Sequence, residues 1–184
     1  MDNIILIGMP GAGKSTVGVL LAKALGYNFL DTDLLLQEQE GMLLQDLVDA
    51  LGVEDFLDRE ADALCALDCR RTVIAPGGSA VCRAHSMARL GELGRVVYLR
   101  LPLEALERRL QNISTRGIAM APGETLSDLY AFRSPLYQRY AGLTVDVGEL
   151  TLEETVAAVL QGLDRWGEAP ADPSINPQKR TETR

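Results

Sequence analysis

Ile4-Ile5-Leu6-Ile7-Gly8-Met9-Pro10-Gly11-Ala12-Gly13-Lys14-Ser15 is an apolar run ending in the pattern G-x-x-x-x-G-K-S. Helical periodicity in Val17, Leu20, Leu21, Ala24 and Leu25 follows at once. Strand before and helix after is the setting a phosphate-binding loop requires. Its glycines let consecutive N–H groups turn onto phosphate oxygens, and the positive end of the next helix adds to the anion site. Gly11, Ala12, Gly13, Lys14, Ser15 and Thr16 are therefore the expected nucleotide contacts. Lys14 is expected to reach the β- and γ-phosphates and the Ser15 hydroxyl to ligate Mg²⁺.

Outward from the loop, strands alternate with helices. Asn28-Phe29-Leu30 ends at Asp31-Thr32-Asp33, and Thr72-Val73-Ile74-Ala75 ends at Pro76-Gly77-Gly78-Ser79. Arg95 to Leu101 and Leu143 to Val147 complete five strands. Between them, helical patterns run over 34–39, 43–51, 53 to about 70, 83–92, 102 to about 112, 125–140 and 151 to about 165. Pro135 is expected to distort the helix that contains it or to start a new segment. The alternation predicts an α/β fold, a five-stranded parallel sheet flanked by helices and doubly wound, with ligands in the crevice outside the carboxyl ends of the strands. That rule places Gly8 to Ser15, Asp31 to Asp33 and Pro76 to Ser79 on one rim.

The chain of 184 residues has length for one domain with a sizeable core, expected over 1–166. Residues 167–184 carry Pro170, Pro173 and Pro177 in polar sequence and read as a disordered tail. A formal charge of −8 disfavours a nucleic-acid partner, so positive charge has to be gathered locally, as the phosphate loop does. No apolar run reaches the roughly 18 residues a membrane span needs, and no basic segment precedes the first strand as in a signal peptide, so the cytoplasm is expected. Cys65, Cys69 and Cys82 with His85 read as structural thiols and a lone histidine, a makeshift metal site being the alternative.

Phosphoryl transfer needs a metal, a group that orients the attacking hydroxyl, and positive charge for the transition state. Asp31 is placed to support Mg²⁺ and Asp33 to accept a hydroxyl proton, although an Asp-x-Asp after a strand can equally cap the helix that follows. Arg116 lies in the glycine-bearing stretch 113–125, a candidate lid, where it is either a closing cation or a solvated surface arginine.

In order and spacing, the phosphate loop, Asp31-Thr32-Asp33, Val73-Ile74-x-x-Gly77-Gly78, Arg116 and Arg133-x-Pro135-x-Tyr137 resemble the shikimate kinase family over roughly residues 3–160. The resemblance implies a P-loop fold like that of nucleoside monophosphate kinases, with a lid. It also implies the use of ATP and Mg²⁺ to phosphorylate a hydroxyl of a small carboxylate, by a protein that acts as a monomer. It assigns Lys14 and Ser15 to phosphates and metal, Asp31 to metal support, and Asp33 to the acceptor hydroxyls. Gly77, Gly78 and Arg133 then fall on the acceptor, Arg109 against adenine, and Arg116 in the lid.

Three places depart from the family pattern. Phe56-Leu57-Asp58-Arg59-Glu60 has Leu57 where the family carries a second carboxylate-binding arginine, Ser79 replaces a third glycine, and Gly117-Ile118-Ala119 follows the lid arginine. Arg59 stands about 200° around the helix from Leu57 and is a poor substitute. Either another arginine reaches in, or the acceptor differs. A smaller one such as homoserine would use Arg133 and Asp33, with Leu57 closing part of the space a ring would fill. A nucleotide or gluconate kinase, and an ATP-binding regulatory module without catalysis, are the remaining readings.

Overall fold

The computed structural model describes residues 3–110, 118–121 and 123–168. The sheet has five parallel strands, β1 (Asn3–Ile7), β2 (Asn28–Asp31), β3 (Thr72–Ala75), β4 (Gly94–Arg100) and β5 (Leu143–Asp146), in the order β2-β3-β1-β4-β5. The helices are α1 (Lys14–Leu25), α2 (Thr32–Glu40), α3 (Leu44–Leu51), α4 (Val53–Cys65), α5 (Ala84–Leu93), α6 (Leu103–Arg109), α7 (Leu126–Tyr140) and α8 (Leu152–Glu168).

A strand covered on both faces has no polar side to show, which is why β1 reads as Ile4-Ile5-Leu6-Ile7 without alternation. These four residues are at most 1% exposed and sit at the centre of the core with Val73, Ile74, Val97 and Leu99. Asn3 begins the strand and is itself buried, with every side-chain bond made. Its Nδ2 donates to the carbonyls of Cys69 (2.7 Å) and Leu93 (3.1 Å), and its Oδ1 accepts from the Thr72 amide (3.0 Å). One amide thus ties the entry of β1 to the entries of β3 and β4, satisfying groups that would be expensive to bury unpaired.

Two expectations are corrected. The helix expected to run from Val53 to about Arg70 ends at Cys65. Beyond it the Cys69 carbonyl is taken by Asn3 and the Arg71 carbonyl by the Asn28 amide, so this stretch serves the sheet. Pro135, in turn, neither ends nor divides α7, which is continuous from Leu126 to Tyr140. A mid-helix proline costs about 3 kcal/mol. Here burial of Leu129, Arg133 and Tyr137 and a capping box between Thr125 and Asp128 work against that cost. The tail expected from 167 and most of the lid expected over 113–125, Arg116 included, lie outside the described residues.

A second, smaller apolar cluster joins Leu36, Leu44, Leu47, Val48, Phe56, Leu57 and Ala119. It holds α2, α3 and α4 together over the carboxyl ends of β2 and β3, which shapes one side of the site.

Candidate active site

A cavity of about 630 Å³ opens at the carboxyl ends of the strands, as the switch-point rule requires. Pro10, Gly11, Gly13, Lys14, Ser15, Thr16 and Arg109 line one part of it; Asp33, Gly77, Gly78, Ser79 and Arg133 line the other. Leu44, Phe56, Ile118 and Ala119 supply its apolar wall.

The phosphate loop takes its shape from Gly11 and Gly13, both at positive φ (82° and 92°), where a Cβ is disfavoured. Lys14 folds back on the loop, its Nζ donating to the carbonyls of Gly8 (3.0 Å) and Met9 (3.2 Å). Removal from water pushes the Lys14 ammonium below its usual range, while the carboxylates of Asp33, Asp31 and Glu60 pull the other way. Ala12 does not line the cavity. Its methyl is in the core and its N–H donates to the Met9 carbonyl (3.1 Å).

Asp31 joins the two sequence readings of the Asp-x-Asp pair. Its Oδ1 caps α2, accepting from the amides of Asp33 (3.0 Å) and Leu34 (3.4 Å), and its Oδ2 accepts from Ser15 Oγ at 2.6 Å. The cap aims the second oxygen at the hydroxyl. A hydroxyl and a carboxylate beside a phosphate cradle are hard oxygen donors of the kind Mg²⁺ takes, so the donor set fits this metal. The same cap turns Asp33 into the cavity. Burial pushes the Asp33 carboxyl up to about 6, with Lys14 opposing and Asp31 adding to the rise.

Arg133 is 3% exposed and reaches the cavity from α7, its Nη2 donating to the Ala119 carbonyl (2.7 Å). One turn on, Tyr137 donates to the Gly78 carbonyl at 2.6 Å and stacks on Tyr98 with ring centres 5.1 Å apart. Gly78 itself lies against the Pro10 ring, where an added Cβ would stand 2.7 Å from Cδ. The acceptor side and the phosphate loop therefore touch through Gly78. Gly78→Ala is expected to push them apart, destabilising the fold by about 1–3 kcal/mol and raising KM for both substrates severalfold. Urea denaturation and steady-state kinetics on one preparation check it.

Leu57 does not border the cavity, contrary to the expectation that it fills acceptor space. It is buried in the α2–α3–α4 cluster, and Phe56 and Leu44 border the cavity instead. An alkyl side chain gains more among Leu36, Leu47 and Val48 than beside charged groups. No other arginine takes the missing position among the described residues. Arg59 points outward to Glu40 (3.3 Å), and Arg83 is held by Glu54 and Asp58. Arg109 is exposed on α6. His85 is exposed on α5, Cys82 packs against both clusters, and all three cysteines are free thiols.

Glu60 is the residue sequence reasoning passed over. It is 4% exposed, bonded to the Ser79 hydroxyl, and crowds the face of Gly77 that Asp33 Oδ1 also approaches. Its signal was available, since it follows Phe56 by four and so shares the buried face of α4.

A phosphate loop, a hydrogen-bonded Ser15–Asp31 pair of oxygen donors, and an aspartate that shares one cavity with a buried guanidinium define a P-loop phosphotransferase that delivers phosphate to a hydroxyl. The sequence model of the family described as shikimate kinase matches residues 10–164. Shikimate kinase 2 of Yersinia pseudotuberculosis is 39% identical over 169 residues, 88% of this chain and 95% of its own. The shikimate kinase of Pseudomonas fluorescens is 39% identical over 175 residues, 92% and 99% of the two chains. Among solved structures, shikimate kinase from Acinetobacter baumannii in complex with shikimate superposes with a TM-score of 0.83 at 32% identity, covering 92% of this chain and 96% of that one. The chain belongs to the shikimate kinase family, and it is accordingly an ATP- and Mg²⁺-dependent kinase. No helix among the described residues is long and apolar enough to cross a membrane.

Proposed function

We propose that this kinase phosphorylates a hydroxyl of a small carboxylate, shikimate being the acceptor best supported, and that it holds the carboxylate with one guanidinium. The observation that carries this reading is the meeting of Arg133 and Asp33 with the phosphate loop in one cavity. Arg133 binds the acceptor carboxylate, with Gly77 and Gly78 allowing its close approach. Asp33 orients the hydroxyl and takes its proton. Gly11, Gly13 and Thr16 cradle the phosphates with Lys14, and Arg109 covers the adenine. Ser15 and Asp31 hold Mg²⁺, which when bound neutralises charge on the transferring phosphoryl group. Arg116 is assigned the lid cation. The domain spans 1–166 with its lid at 113–125. It works in the cytoplasm as a monomer, the state the family resemblance implies.

The arginine missing at position 57 leaves a second reading, a smaller hydroxylated carboxylate such as homoserine held by Arg133 and Asp33. Losing one charge-assisted contact costs about 1.5–3 kcal/mol, roughly tenfold to 150-fold in affinity. A coupled ADP-release assay with Mg·ATP and the two acceptors side by side decides between them. Turnover on shikimate at ordinary kinase rates is expected, with a KM raised by the missing contact. Turnover on homoserine with little on shikimate overturns the first reading, and acceptor-independent ATP binding without turnover on either favours a regulatory module.

A further inference from the structure

We infer that Glu60 is a positioning residue that sets how tightly Arg133 holds a carboxylate acceptor: the neutral side chain leaves the guanidinium to the acceptor, and the ionised one draws it away. The inference rests on the acceptor reading above.

Two buried polar atoms beside the acceptor loop have no hydrogen-bond partner, Glu60 Oε1 and Arg133 Nε. One is an acceptor and the other a donor, and each belongs to a side chain at least 96% buried. Glu60 comes from α4, held at Ser79 and against Gly77; Arg133 comes from α7, held at the Ala119 carbonyl. Arg133 Nη2 donates to Ala119 and the guanidinium also meets the Cys82 thiol, yet Nε itself has no partner. A carboxylate is the group that such an edge takes best. With leucine at position 57, the cations near Glu60 reduce to Lys14 and Arg133. Lys14 is already bonded to the phosphate loop, so Arg133 is the partner with an edge to offer.

The groups facing Glu60 are Lys14 from α1, Asp33 from α2, Arg133 and Tyr137 from α7, and Ser79 and Cys82 at the short turn Ala80–Cys82. Burial, first, pushes its carboxyl up to about 7; Asp33 adds to the rise, and Ser79, Arg133 and Lys14 oppose it. The carboxyl is thus neutral below pH 7 and ionised above. An acceptor carboxylate on Arg133 favours the neutral form, so binding takes up a proton and weakens as pH rises.

Steady-state kinetics with shikimate from pH 6.5 to 8.5 test this in the wild-type protein and in Glu60→Gln. Wild-type acceptor KM is expected to rise about three- to tenfold over that range while KM for ATP stays level. In Glu60→Gln the rise disappears, and at pH 8.5 its acceptor KM lies below wild type. Asp33 titrates in both proteins, so the difference belongs to Glu60. Superimposable KM profiles in the two proteins overturn the inference. Absence of turnover with shikimate in both overturns the acceptor reading instead. A ¹³C NMR titration of the Glu60 carboxyl, without acceptor, then decides the coupling alone. Its midpoint is expected to rise in Arg133→Met, and an unmoved midpoint overturns the inference.

Discussion

Asp33→Asn is expected to lower kcat by about 10²- to 10⁴-fold while ATP affinity stays within severalfold of wild type, the range a positioned proton acceptor contributes. Asparagine keeps the shape of the side chain and can still receive the acceptor's hydrogen bond, but it cannot take the proton. Local structure should survive the change, because the cap of α2 uses the backbone amide of residue 33 and the carboxylate of Asp31. The carboxyl's pKa of about 6 leaves it ionised at pH 7.5 yet basic enough to share a proton in the transition state. Single-turnover phosphoryl transfer and titration with a nucleotide analogue separate the two readouts. A fall in kcat below tenfold would mean that the hydroxyl needs no base here, and lost nucleotide binding would make Asp33 structural.

Arg133→Met is the second large effect. A methionine fills the same space and offers no donor, so the acceptor carboxylate meets an apolar wall. With no second guanidinium on the acceptor side of the cavity among the described residues, where Arg109 lines only the phosphate-loop part, the whole charge-assisted contact is lost at once. Acceptor KM is expected to rise about tenfold to 150-fold, equivalent to about 1.5–3 kcal/mol, with KM for ATP unchanged. The Ala119 carbonyl also loses its donor, so a modest loss of stability accompanies the change. Kinetics with each substrate varied in turn check the split. Equal effects on both KM values would indicate a collapsed site and would remove Arg133 from the acceptor.

The sheet was legible because burial on both faces leaves an unmistakable mark, runs such as Ile4 to Ile7 and Val96 to Leu99 without polar alternation. Helix limits were read less well where a local pattern competed with distant partners. Leu64 and Leu67 kept the helical period past Cys65, but Asn3 and Asn28, far off in sequence, claim the carbonyls beyond it. Pro135 spoke for a break, and packing around Arg133 and Tyr137 decided otherwise.

The phosphate loop and the placing of Ser15, Asp31, Asp33, Gly77 and Gly78 on one rim were written in the chain, since each follows from a strand end and a short local motif, whereas Arg133, inside a helix, was reached only through the family resemblance. Where Leu57 turns, that one oxygen of Glu60 is left without a partner behind Gly77, and that Tyr137 binds the acceptor loop to the helix of Arg133 were decided by tertiary structure alone. A side chain's identity says what it can bond to. Which groups reach it depends on contacts between α4, α7 and the loop after β3, elements far apart in sequence whose packing no local pattern encodes.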